Sequence, residues 1–213
     1  MLVAVLRGRP RLALAAGTVI AGSLATTEAL KRILGRPDLG VVDALKRTPT
    51  YPSGHTTIAM ALSVGAILVV PRRVRAAVAL PGVVFASTVG CSVVATASHR
   101  PSDPIGAALV VTVWSASVAA ALVGKERARP YAGPTWLHLS PWMALGGIAL
   151  LTVSFIAVAI TVFAIQYGRL DTVEFGRAFI VASSAIVGTV LTCTAALLIA
   201  LHNTDIDRTP RLE

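Results

Sequence analysis

Thr50-Tyr51-Pro52-Ser53-Gly54-His55-Thr56-Thr57 stands at the mouth of a long apolar run, Ile58 to Val70. A helix beginning here carries Pro52 near its first turn, where a missing N–H costs nothing. Ser53 and Gly54 then offer backbone N–H groups and a hydroxyl, and the helix dipole favours an anion beside them. His55 gives or takes a proton near neutral pH. An anion pocket with a proton donor, set at the edge of an apolar run, points to phosphate chemistry in a membrane.

The rest of the chain agrees with a membrane setting. It has 213 residues, 55% of them hydrophobic and 14% charged, where soluble domains average about 25% charged. The mean hydropathy is +0.76. The expected fold class is all-α, a polytopic membrane bundle of six transmembrane helices. The spans are read at about 12–34, 52–70, 76–97, 105–123, 142–166 and 178–201, the second being the shortest. The whole is one membrane domain: a four-helix catalytic part over 12–123 and two additional C-terminal helices over 142–201. A secretory signal peptide begins much as residues 1–25 do, but the apolar pattern runs on past the usual length of one. Pro81 and Gly82 are read as a kink in the third span, and Pro71-Arg72-Arg73-Val74-Arg75 as a basic turn. Cys91 and Cys193 fall in apolar runs and read as buried small hydrophobes.

The net charge of +9 excludes little by itself. With few aromatic residues between the basic ones there is no stacking platform, and no nucleic-acid partner is read. Lys and Arg instead mark cytoplasmic loops and anionic lipid surfaces. The N-terminus, the Arg72 turn, the Lys125 connection and the tail fall on one side. Lys31, Arg32, Arg36, Lys46, Arg47 and Arg100 fall on the other, in or beside two polar loops, with Arg169 and Arg177 offset by Asp171 and Glu174. The expectation is a multi-pass plasma-membrane protein with cytoplasmic termini and an extracytoplasmic site.

That topology gathers three polar clusters on one face: Lys31 with Arg36-Pro37, then Pro52-Ser53-Gly54-His55, then His99 with Asp103. A neutral imidazole at His99 attacks phosphorus if a carboxylate holds its other ring nitrogen, and Asp103 stands four residues on, the spacing for that contact in a helical turn. A protonated His55 donates to the departing oxygen. Lys31, Arg36, Arg100 and the groups of Ser53 and Gly54 are read as phosphate-binding. Glu28, three residues before Lys31, pairs with it across one turn. No cluster of carboxylates is available for Mg²⁺ or Zn²⁺, so the chemistry is expected to need no metal, and no cofactor is implied.

On these residues the chain resembles the type-2 phosphatidic acid phosphatases, membrane lipid-phosphate phosphatases related to vanadium haloperoxidases. Their pattern is Lys-x6-Arg-Pro, then Pro-Ser-Gly-His, then Ser-Arg-x5-His-x3-Asp. Pro52-Ser53-Gly54-His55 and His99-x3-Asp103 match, in order and spacing, and the likeness covers about residues 12 to 123. It implies a helical bundle in which His99 is the nucleophile that becomes phosphohistidine, His55 the general acid, and Asp103 the residue that orients His99. The implied substrates are lipid phosphates: a polyprenyl diphosphate, phosphatidic acid or phosphatidylglycerol phosphate.

The chain departs from the pattern twice. Lys31 is followed by Arg36-Pro37 after four residues, and Asp38-Leu39 stands at the usual Arg-Pro place. Ser92-Val93 stands where Ser-Arg is usual, so one phosphate-binding arginine is replaced by valine; Arg36 and Arg100 are the candidates to cover the two gaps. Two rival functions follow: a phosphotransferase that passes the phosphoryl group to another hydroxyl, and a weakly active membrane protein that binds lipid phosphates. The last two spans are read as either lining the acyl or prenyl groove or forming a homodimer contact, with Gly146-Gly147 permitting close helix approach.

Overall fold

The computed structural model describes residues 8–34, 50–124, 139–168 and 174–202. Among them lie six α-helices: α1 (Pro10–Leu34), α2 (Gly54–Val69), α3 (Arg72–Ala95), α4 (Ser102–Gly124), α5 (Leu139–Gln166) and α6 (Phe175–His202). The protein is a polytopic helical bundle. Five helices are long and apolar enough to cross a bilayer, and α2 is a shorter apolar helix of 16 residues. At about 1.5 Å per residue α2 reaches ~24 Å, against a hydrocarbon core of about 30 Å.

The bundle is built around α2, which packs against α1, α3 and α4. Met60, Ala61, Val64, Ile67 and Leu68 are wholly buried. Its neighbours approach closely because small residues face one another, as bundles in lipid require. Gly65 lies under Ala16 and Ile20 of α1, and Gly82 of α3 lies against Ser63. Helix α1 turns a stripe inward at helical spacing, Leu12, Ala16, Val19, Ser23 and Thr27. The stripe becomes polar toward the end that carries Lys31.

Helix α3 runs unbroken through Pro81. The Ser63 hydroxyl donates to the Gly82 carbonyl at 3.0 Å beside it. The basic stretch after Pro71, read as a turn, is instead the first turn of α3, with Pro71 as its N-cap. Proline fixes its own φ near the helical value and has no N–H to lose at a helix start.

The last two helices differ in kind. Helix α6 packs on α3 and α4 as well as on α5, whereas α5 lies chiefly against α6. Inside the molecule 56% of the α6 span is buried, but only 6% of the α5 span. The α5–α6 seam turns on Gly147 and Gly188, where a Cβ on either would come within 2.9 Å of the other's carbonyl oxygen. Gly146 makes no such approach. A Ser154–Ser184 hydrogen bond of 2.8 Å closes the same seam. At the start of α6, Arg177 pairs with Glu174 at 3.6 Å on the surface.

Candidate active site

The stretch read as a helix start divides between a cap and a helix. Ser53 is extended (φ −69°, ψ 117°) and is the N-cap of α2. Its hydroxyl accepts from the Thr56 amide at 3.4 Å and from the Thr56 hydroxyl at 3.1 Å. The first intrahelical bond runs from the Thr57 N–H to the Ser53 carbonyl, 2.9 Å. Pro52 therefore precedes the cap and is not in the first turn. The Ser53 amide is also not an anion donor, because it bonds the Asp103 carbonyl at 3.1 Å. The amides without an intrahelical acceptor are those of Gly54 and His55.

Lys31 reaches this helix end from α1. A Cβ on Gly54 would lie 3.2 Å from the Lys31 ammonium, which places that charge directly over the first turn. The ammonium donates to Glu28 Oε1 at 2.6 Å, with Lys31 largely covered and Glu28 exposed. Deeper down, the Thr27 and Thr57 hydroxyls bond at 3.0 Å and fix α1 to α2 one turn below. His55 follows Gly54 and is exposed.

The second half of the site hangs between α3 and α4. Helix α3 ends at Ala95, Thr96 is its C-cap, and Ala97 adopts the left-handed conformation (φ 54°). For a residue with a Cβ that conformation costs about 1–2 kcal/mol. It lets the chain reverse, so that the His99 amide bonds the Val93 carbonyl at 3.0 Å. The nucleophile candidate is thus held by the main chain of Val93.

Asp103, in the first turn of α4, is 1% exposed. Its Oδ2 accepts from His99 Nδ1 at 3.0 Å, from the Thr50 hydroxyl at 2.7 Å and from the Arg100 amide at 3.2 Å. Oδ1 accepts from the Ser102 hydroxyl at 3.2 Å. A carboxylate has room for about four such donors. Asp103 stands in the first turn of α4, so its charge sits where the helix dipole favours it.

Three further contacts set this assembly in place. A Cβ on Gly106 would fall 2.5 Å from the Tyr51 ring, so only glycine admits that ring. Gly90 of α3 faces Ile186 of α6, Pro104 of α4 and Thr56 of α2, at 2.9, 3.4 and 3.6 Å from a Cβ placed there. Trp114 of α4 lies over Gly22 of α1 and donates to the Thr26 hydroxyl at 3.0 Å.

The structure therefore brings together Lys31, Gly54, Ser53, Asp103 and His99 through a continuous run of contacts. Arg100 joins it through its amide. Arg36 lies outside the described residues, as do Asp38, Lys46, Arg47, the 125–138 connection with His138, Arg169, Asp171 and the tail. Among the described residues no three of His, Cys, Asp and Glu gather as a metal-ligand set. Sequence reasoning passed over Thr50 and Ser102, the two hydroxyls on Asp103. The signal for Thr50 was a hydroxyl residue two places before Pro52, within the very stretch that was singled out.

A family model described as the PAP2 superfamily matches residues 12–127. The chain belongs to the PAP2 superfamily. The match takes in α2 to α4 entire and all but the first two residues of α1, with His55, His99 and Asp103, and leaves α5 and α6 outside. Membership carries, in general terms, a phosphatase function on lipid phosphates in a membrane. No curated protein and no solved structure matches the chain.

Proposed function

We propose that this PAP2 member hydrolyses a phosphomonoester or diphosphate on a lipid, in two steps through a phosphohistidine at His99. The observation that carries the reading is the His99 Nδ1–Asp103 Oδ2 contact of 3.0 Å, set beside a helix N-terminus that Lys31 overlies.

Asp103 accepts a hydrogen bond from the Nδ1–H of His99, which leaves the Nε2 lone pair to attack phosphorus. The phosphoryl oxygens lie against Lys31, Arg36, Arg100 and the Gly54 and His55 amides, which oppose the charge that spreads over them in the transition state. His55 gives its proton to the departing oxygen. In the second step His55 takes a proton from water, the hydroxide oxygen bonds phosphorus, the N–P bond breaks and inorganic phosphate leaves. These cations supply the charge neutralisation, so the mechanism proposed is metal-independent. The substrates are of the polyprenyl diphosphate, phosphatidic acid or phosphatidylglycerol phosphate type. The site faces outward across the plasma membrane, with both termini cytoplasmic, on the distribution of Lys and Arg.

Val93, where the superfamily pattern has arginine, favours a second reading: a protein that binds lipid phosphates and turns them over weakly. One experiment separates the two. Purified protein is assayed for phosphate release from a panel of these lipids with EDTA present. The phosphatase reading expects turnover with a bell-shaped pH profile, an acid-labile phosphoenzyme, and no activity in His99→Ala. Robust turnover by His99→Ala removes the nucleophile, a need for added metal removes the metal-free scheme, and binding without release supports the second reading.

A further inference from the structure

We propose that Thr50 is a positioning residue for phosphoryl transfer: its hydroxyl fixes the Asp103 carboxylate and, through it, the tautomer and aim of His99. The inference rests on the phosphatase reading above.

Three donors converge on one oxygen. Asp103 Oδ2 receives Thr50 Oγ1 at 2.7 Å, His99 Nδ1 at 3.0 Å and the Arg100 amide at 3.2 Å. The Arg100 amide can only donate. With the Thr50 proton also directed at Oδ2, that oxygen has no place for a proton of its own. The proton between Asp103 and His99 therefore resides on Nδ1, and Nε2 is the free, nucleophilic nitrogen. Without the Thr50 hydroxyl, the carboxylate loses the shortest of these bonds, one that reaches it from outside the loop joining α3 to α4. It can then swing about its side-chain torsion and carry the imidazole with it.

The same segment grips Asp103 twice. Thr50 holds its side chain, and the Ser53 amide holds its main-chain carbonyl at 3.1 Å. Between them, Tyr51 lies against Gly106, one turn further along α4. The short run 50–53 thus sets the α4 half of the site in register with the α2 half that begins at Gly54. A hydroxyl already committed to Asp103 is not a substrate ligand, and this separates the role of Thr50 from that of the cations around the phosphate.

The test is steady-state and single-turnover kinetics on the purified full chain, with the best lipid phosphate from the panel. Thr50→Val keeps the shape and removes the donor. It is expected to lower kcat and the rate of phosphohistidine formation about tenfold, with KM within about twofold of wild type. Thr50→Ser, which restores the hydroxyl, recovers turnover to within about threefold of wild type. In an Asp103→Asn background, Thr50→Val costs nothing further, because the group through which it acts is already changed. Wild-type turnover in Thr50→Val, failure of Thr50→Ser to recover it, or a full additional loss on top of Asp103→Asn each overturns the proposal. An active wild type with an unaffected Thr50→Val removes this inference alone; a wild type that releases no phosphate removes the phosphatase reading and this inference with it.

Discussion

Replacing Ser53 with alanine removes one oxygen, and the structure says what that oxygen does. It accepts the Thr56 amide at 3.4 Å and the Thr56 hydroxyl at 3.1 Å, in a residue with no exposed surface. Loss of such a cap costs about 0.5–2 kcal/mol, and a buried donor left without an acceptor about 1–3 kcal/mol. The two figures describe the same stranded amide and are not added. The Thr56 hydroxyl can rotate to another acceptor and contributes little. A loss of about 2 kcal/mol follows, near the upper end for a cap because no water reaches the site to take its place. For a chain of 213 residues that corresponds to a fall in Tm of about 4–8 °C. The Gly54 and His55 amides take their direction from the capped turn, so kcat/KM is expected to fall about tenfold as well. Thermal unfolding in detergent and phosphate release on the same preparation read both numbers. A Tm within about 1 °C of wild type refutes the cap as the main role of this hydroxyl. If activity nonetheless collapses in that case, Ser53 acts on the phosphate directly.

Two other substitutions probe separate parts of the molecule. Glu28→Gln removes the charge that competes for Lys31; for an exposed partner worth about 0.5–1 kcal/mol, KM for the lipid phosphate is expected to fall about two- to fivefold with kcat little changed, and a rise in KM contradicts it. Gly147→Val forces apart the α5 and α6 backbones, which a single added Cβ already brings to 2.9 Å at both the Gly188 carbonyl and the Thr192 amide. Overpacking of this kind costs about 1–3 kcal/mol in thermal stability, while turnover at low temperature is expected to persist because α6 keeps its contacts with α3 and α4.

Most of the architecture was legible because each apolar run is close to the length of a bilayer and is bounded by Pro, Gly or charge. The Lys31–Glu28 and His99–Asp103 pairs were legible for the same sort of reason, since spacings of three and four residues bring side chains together on one helical turn. The division of labour within Thr50 to His55 was not. Which residue caps α2, and which amides stay open, depends on the Asp103 carbonyl arriving from a different helix. The role of Thr50 was hidden likewise, because its partner lies 53 residues away. The Arg72–Arg75 stretch misled because charge clusters commonly mark loops, whereas here Pro71 starts a helix directly into them. Nothing in the local pattern distinguishes α5 from α6 either: both are long and apolar, and only tertiary packing makes one peripheral and the other interior.

The placement of Ile186 against Gly90, beside Pro104 and Thr56, bears on how the protein is made. Ribosomes deliver the matched segment first, and His99 and Asp103 enter the membrane well before α6 exists. At about 5–20 residues per second, the roughly 80 residues between Asp103 and Ile186 take about 4–17 s to synthesise. Through that interval the faces of α3 and α4 that α6 later covers are open to lipid, and the support behind Gly90 is missing. A nascent chain can thus hold every motif residue and still lack the support that α6 gives the helices carrying them.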